Sequence, residues 1–109
     1  MPLTYRSIFR PDLFTGQTYI VTGGGTGIGR AVAHELASLG AHVILAARTM
    51  ENLERVAAEI REAGGAASAF ACNIREEEQV AALFDFVLAE RGGFHGLVNN
   101  AGGQFVSPA

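Results

Sequence analysis

The stretch Thr22-Gly23-Gly24-Gly25-Thr26-Gly27-Ile28-Gly29 constrains this chain more than any other. A strand-like run, Thr18-Tyr19-Ile20-Val21, precedes it, and a helical run begins near Ile28. A strand, a glycine turn and a helix in that order build an anion site. Glycine permits left-handed backbone angles and lets a ligand approach with no Cβ in the way. The start of the helix adds unpaired N–H groups and a partial positive charge. Five glycines between positions 23 and 29 also carry a high cost in chain entropy, which points to a ligand that uses them.

The rest of the sequence narrows the ligand and the class of protein. At 109 residues the chain forms at most one domain. A hydrophobic share of 49% is that of a chain with a buried core. The net charge of −3 argues against a general nucleic-acid binder, which needs clustered Lys and Arg. No apolar run approaches the roughly 20 residues that span a bilayer, and residues 1–10 contain no apolar signal segment. Cys72 is the lone cysteine, so no internal disulfide forms, and a reducing, cytoplasmic location is expected. His34, His42 and His95 lie apart from Cys or carboxylate partners at ligand spacing, so no metal site is expected. All eight basic residues are arginines, at positions 6, 10, 30, 48, 55, 61, 75 and 91, and the chain has no lysine.

Patterning predicts β-α-β-α-β-α-β. Residues 1–15 read as an arm with a turn at Arg10-Pro11-Asp12, Leu13 and Phe14 packing on the edge of a domain spanning 16–109. Strands are expected at 17–22, 42–47, 67–72 and 96–99. The run at 42–47 is continuously apolar, as in a strand buried on both faces. A first helix over 28–39 would bury Ile28, Val32, Leu36 and Leu39, with Gly40 as its left-handed cap. A second, capped by Thr49, would bury Leu53, Val56, Ala57 and Ile60. A third, opened by Glu76, Glu77 and Glu78, would bury Val80, Leu83, Phe84, Val87 and Leu88. Such alternation implies an α/β fold, a doubly wound, Rossmann-like parallel sheet of strand order 3-2-1-4. A ligand would sit at the carboxyl ends of strands one and four. Helices one and two would cover one face and helix three the other.

The glycine spacing excludes two common phosphate loops. A P-loop requires Lys and Ser or Thr after its last glycine, and Arg30-Ala31 stands there. The G-x-G-x-x-G form would need a glycine at Ile28. The spacing that does fit, T-G-x-x-x-G-x-G at Thr22, Gly23, Gly27 and Gly29, resembles that of the short-chain dehydrogenases/reductases. Asn99-Asn100-Ala101-Gly102, after the fourth strand, is similar to the N-N-A-G element of the same family. The resemblance covers about residues 14–109. It implies cofactor contacts from Thr22, Gly23, Gly25, Thr26, Gly27, Ile28 and Gly29, and from Asn99, Asn100, Ala101 and Gly102.

The second strand decides the cofactor. An NAD site places a carboxylate about 20 residues after the glycines to bind the ribose 2′-hydroxyl. Here that region reads Ala46-Ala47-Arg48-Thr49, with no carboxylate. Arg48 can instead form charge-assisted bonds to a 2′-phosphate, each worth about 1.5–3 kcal/mol when well formed, with Arg30 and Thr49 as possible helpers. NADP(H) is therefore the expected cofactor. The family usually has Asp where Asn73 stands, bonding the adenine amino group while the next residue, here Ile74, packs on the ring. The Asn73 side-chain carbonyl can still accept that bond, or serve in a turn before helix three.

Asn73-Ile74-Arg75 with its glutamates, and residues 99–109 with Gln104 and Phe105, resemble the peroxisomal-type trans-2-enoyl-CoA reductases; the 2,4-dienoyl-CoA reductases are near neighbours. The resemblance implies hydride transfer from NADPH to C3 of an enoyl-CoA, a proton added at C2, and an acyl-CoA substrate. It also implies a homo-oligomeric complete enzyme, a dimer or tetramer, peroxisomal in a eukaryote. Reduction of 2,4-dienoyl or 3-oxoacyl substrates, or nucleotide binding without catalysis, are alternatives. The family's catalysis uses Asn, Ser and Tyr-x-x-x-Lys. Tyr5 and Tyr19 are followed four residues on by Phe9 and Gly23, and the chain lacks lysine. No catalytic residue is therefore assigned. The expectation is an N-terminal half ending in mid-loop, its catalytic pair beyond Ala109, with an open apolar edge at strand four that invites association.

Overall fold

The computed structural model describes residues 12–23 and 27–99. Seven elements form within them: β1 (Thr18–Thr22), α1 (Gly27–Ser38), β2 (His42–Ala47), α2 (Met50–Glu62), β3 (Ala66–Ala71), α3 (Glu77–Arg91) and β4 (Gly96–Asn99). The four strands make one parallel sheet of order β3-β2-β1-β4. The order agrees with the sequence expectation. The order in which strands are added reverses at β1, which pairs with β2 on one side and β4 on the other. In doubly wound sheets the crevice at such a reversal is where ligands bind.

Alternation along β1, β2 and β3 sorts the core into two layers. Val21, Val43, Leu45 and Ala67 face α1 and α2, meeting Ala33, Ala37, Leu53, Val56, Ala57 and Ile60. Ile20, Ile44, Ala46 and Cys72 face α3, meeting Leu83 and Val87. The central strands are thus apolar on both sides, which is why 42–47 reads as an unbroken hydrophobic run.

The helix faces differ from the expected stripes in two places. In α1 the buried residues are Gly29, Ala33 and Ala37. Val32 and Leu36 are half-buried, and Ile28 is 72% exposed. Residues four apart lie on one face, and α1 sets its smallest side chains against the sheet so that the backbones approach closely. In α3, Leu88 is 54% exposed. Phe86 turns inward instead and meets Phe70 of β3 with centroids 4.9 Å apart, while Phe84 stacks on Phe94 at 5.4 Å. The stripe of α2 forms as expected.

Residues 12–17, just before β1, are fixed at the amino end of the sheet. The Phe14 N–H donates to Leu39 O at 2.7 Å, and its ring lies 5.3 Å from that of Tyr19. Leu13, expected to pack, is exposed. A turn forms at Asp12–Thr15, where the Thr15 N–H donates to Asp12 O; of the turn expected at Arg10-Pro11-Asp12, Arg10 and Pro11 lie outside the described residues. Gly40 closes α1 at φ +98°, with its N–H bonded to Ala37 O and the Ala41 N–H to Leu36 O. This is the paired-bond left-handed cap that satisfies the last carbonyls of a helix. A Cβ at Gly40 would also lie 2.6 Å from Thr15 Oγ1, so two constraints demand glycine there.

Candidate functional site

Of the expected site residues, Thr22, Gly23, Gly27, Ile28, Gly29, Arg48, Asn73, Ile74 and Asn99 are described, and they lie at or just beyond the carboxyl ends of the strands. Thr22 ends β1 and is 4% exposed. Its hydroxyl lies 3.3 Å from Val98 O and 3.0 Å from Asn99 Oδ1. One hydroxyl proton serves one acceptor. With the Asn99 amide turned so that its nitrogen donates, both contacts are hydrogen bonds. Thr22 thereby ties β1 to β4 where the strand order reverses, and holds Asn99 at the mouth of the crevice.

The backbone then leaves the sheet through glycine. The Gly23 N–H donates to Ala46 O at 2.8 Å, extending the β1–β2 ladder by one bond, and its φ is +67°. Gly27 opens α1 at φ +56° with open space where a side chain would be. The first N–H groups of a helix have no intrahelical partner, so Gly27, Ile28 and Gly29 offer theirs outward. No acidic residue stands in the first turn of α1 to occupy them. Gly29 rests on the sheet while Ile28 points away from it. Gly25 and Thr26 lie outside the described residues, as do Asn100, Ala101, Gly102, Gln104 and Phe105.

Arg48 follows the last residue of β2, is exposed, and has no hydrogen-bond or ion-pair partner among the described residues. Thr49 takes the extended backbone of a helix cap, but its hydroxyl makes no capping bond. Arg30 is engaged elsewhere: its Nε donates to Glu59 Oε1 of α2 at 2.9 Å. The same oxygen lies 3.0 Å from His34 Nε2. The Arg30 hydrogen bond is the main cause that holds the Glu59 carboxyl below the usual range, with His34 adding to it against the opposing effect of burial.

After β3, the Cys72 N–H donates to Ala47 O at 2.7 Å and continues the ladder. The buried Cys72 thiol is pushed up by desolvation. Asn73 is half-buried and builds a turn: its Oδ1 accepts the Arg75 N–H at 3.0 Å, and its carbonyl accepts the Glu76 N–H. Its own N–H donates to Gln79 Oε1 at 2.7 Å. An amide oxygen has two acceptor positions, so one remains. Ile74 is half-buried and packs against the layer under α3.

The amino end of the sheet carries polar side chains that the sequence did not single out. His42 Nε2 lies 2.9 Å from Ser68 Oγ, which donates to Glu90 Oε1 at 3.0 Å. Arg91 Nε donates to Thr18 Oγ1 at 3.2 Å, and the Thr18 N–H donates to His95 Nδ1 at 3.0 Å. The end of α3 is thereby fastened to β1 and β3. Burial first, then the Arg91 charge, lowers the pKa of His42; Glu90 opposes and Arg61 adds to the lowering.

A strand, left-handed glycines at positions 23 and 27, and a helix start free of acid, beside the point where the 3-2-1-4 strand order reverses, have the arrangement of a dinucleotide-type site. The short chain dehydrogenase family model matches residues 17–109. The chain belongs to that family. A probable 2,4-dienoyl-CoA reductase of Caenorhabditis elegans is 43% identical over 108 residues, 96% of this chain and 35% of its own length. The solved citronellol catabolism dehydrogenase of Pseudomonas aeruginosa is 64% identical with a TM-score of 0.85, covering 87% of this chain and 40% of that one. A metagenomic short-chain oxidoreductase solved in complex with NADP is 47% identical with a TM-score of 0.79, covering 82% of this chain and 40% of that one. The chain spans about a third of the length of the curated relatives it matches. Among the described residues, no helix is long and apolar enough to cross a membrane, and no group of three or more His, Cys, Asp or Glu could hold a metal ion.

Proposed function

We propose that this chain is the cofactor-binding part of an NADP(H)-dependent short-chain oxidoreductase. The observation that carries the reading is Arg48, exposed and unpaired among the described residues where an NAD site would place a carboxylate. In this reading Gly23, Gly25, Thr26, Gly27, Ile28 and Gly29 hold the pyrophosphate against the start of α1. Arg48 bonds the 2′-phosphate. Asn73 offers its remaining acceptor position to the adenine amino group, beside Ile74. Thr22, Asn99, Asn100, Ala101 and Gly102 shape the crevice toward the nicotinamide. A solved relative that holds NADP and is 47% identical supports this cofactor.

Bound NADPH would supply a hydride. The chain itself contributes binding and orientation, and the lack of any lysine supports reading it as inactive alone. For the whole protein we propose trans-2-enoyl-CoA reduction, with hydride to C3 and a proton to C2, in a homo-oligomer. The sequence elements at 73–75 and 99–109 support this, as does the 43% identical dienoyl-CoA reductase, whose chemistry is adjacent. A second reading, a catabolic dehydrogenase, is favoured by the 64% identity to the citronellol catabolism enzyme.

The cofactor reading is tested by titrating NADPH and NADH into the chain and into Arg48→Asp. The substitution is expected to abolish the preference for NADPH, and unchanged NADPH affinity would sink the proposal. A protein joining this chain to a catalytic C-terminal half then discriminates the substrates: NADPH consumption with trans-2-enoyl-CoA supports the first, NADP+ reduction with citronellol the second.

A further inference from the structure

Arg30 stands in the first turn of α1, next to Gly29, where a cation would serve a phosphate at the helix start. Its guanidinium is nevertheless held on the flank of α1 that faces α2. Glu59 Oε1 accepts from Arg30 Nε at 2.9 Å and lies 3.0 Å from His34 Nε2. Arg30 and His34 are four residues apart and share one side of α1. A single carboxylate oxygen that touches both fixes the Arg30 side chain between them.

We propose that Glu59 is a positioning residue that keeps Arg30 out of the phosphate site at the start of α1. The inference rests on the dinucleotide-binding reading above. It assigns the anion contacts at the glycine turn to backbone N–H groups, and leaves Arg48 as the guanidinium that reads a phosphate. The ligand would then be gripped by the backbone around its pyrophosphate and by charge only at its ribose. Arg30 is a latent second cation. The pair is partly exposed, with side-chain accessibilities of 48% for Arg30 and 31% for Glu59. Exposed ion pairs are weak, so the restraint is modest, and releasing it should change affinity by about two- to fivefold.

The test uses the full chain and ADP, which carries the pyrophosphate and no 2′-phosphate. Dissociation constants are measured for the unsubstituted chain, Glu59→Gln, Arg30→Gln and the double variant. Glu59→Gln is expected to bind ADP about two- to fivefold tighter. Arg30→Gln should bind as the unsubstituted chain does, and the double variant should lose the gain. A clamp that merely joins α1 to α2 would lower the melting temperature of Glu59→Gln with no gain in ADP affinity, and that result overturns the proposal. A loss of fivefold or more in Arg30→Gln also overturns it, because Arg30 would then already contact the phosphates. Should Glu59→Gln fail to fold, Glu59→Asp, whose shorter arm draws the carboxylate back from Arg30, takes its place with the same two outcomes: tighter ADP binding supports the proposal, and unchanged affinity overturns it. If the unsubstituted chain binds no ADP, the dinucleotide reading falls and this inference with it. If it binds ADP but Glu59→Gln gains nothing, only the inference falls.

Discussion

The two ends of the sheet are built on opposite plans. At the amino end, side chains fasten elements together: His42 to Ser68 to Glu90, Arg91 to Thr18, and the Thr18 N–H to His95. At the carboxyl end, Gly23 and Gly27 take left-handed angles, the first N–H groups of α1 have no intrahelical partner, and Arg48 extends without a partner among the described residues. Both ends belong to the same four strands and the same two core layers. The difference shows where the fold satisfies its polar groups internally and where it leaves them for a ligand. Unpaired donors that remain in water cost little, and they become binding energy when an anion arrives.

Substitutions at the two ends should therefore separate stability from binding. The largest effect is expected from Gly40→Ala at the amino end. A left-handed angle and a 2.6 Å approach to Thr15 Oγ1 oppose any side chain there. The loss is roughly 2–5 kcal/mol, or about 10 °C or more in melting temperature by calorimetry. NADPH affinity of the molecules that remain folded should not change. Arg48→Asp is next and has the inverse profile. NADPH binding should weaken about ten- to hundredfold by isothermal titration, with the melting temperature of the free chain nearly unchanged.

Ser68→Ala removes the link between His42 and Glu90. It should cost about 1 kcal/mol in urea unfolding and nothing in NADPH affinity. The smallest expected effect is a pH dependence from His42. Its folded pKa lies below the ordinary 6.5, chiefly through burial. Below 6.5 the unfolded chain takes up a proton that the folded chain resists. The stability this group contributes is thus fully present above 6.5 and is lost as pH falls through the folded value. Comparing unfolding at pH 7.5 and 5.5 with His42→Gln isolates the effect, because the variant should lose less stability over that interval.

What was legible in the sequence followed from local rules. The run at 42–47 identified β2 because both of its faces are covered, and Leu53, Val56, Ala57 and Ile60 identified the buried side of α2 because bulk and helical spacing coincide there. Bulk misled in α1, where Gly29, Ala33 and Ala37 make the close contact and Ile28 is left outside. It misled again at Leu88, because a single helix over a twisted sheet buries a narrow stripe and Phe86 reaches Phe70 from beside it. At the carboxyl end, the glycine spacing and Arg48 were readable because each lies at the end of one element. The fastening of the amino end was not. His42, Ser68 and Glu90 are separated by 26 and 22 residues, and only the finished sheet brings them together. The Glu59 contacts with Arg30 and His34 depend on packing between α1 and α2 in the same way.

Amide chemical-shift mapping of the 15N-labelled chain during titration with NADPH tests the division between the two ends most directly. The account predicts saturable shifts at Gly23, Gly27, Ile28, Gly29, Arg48 and Asn73, with His42, Ser68, Glu90 and His95 unmoved. It also predicts that NADH shifts the same glycines more weakly and leaves Arg48 in place. Shifts centred on the amino end, or an equal response of Arg48 to both nucleotides, would contradict it.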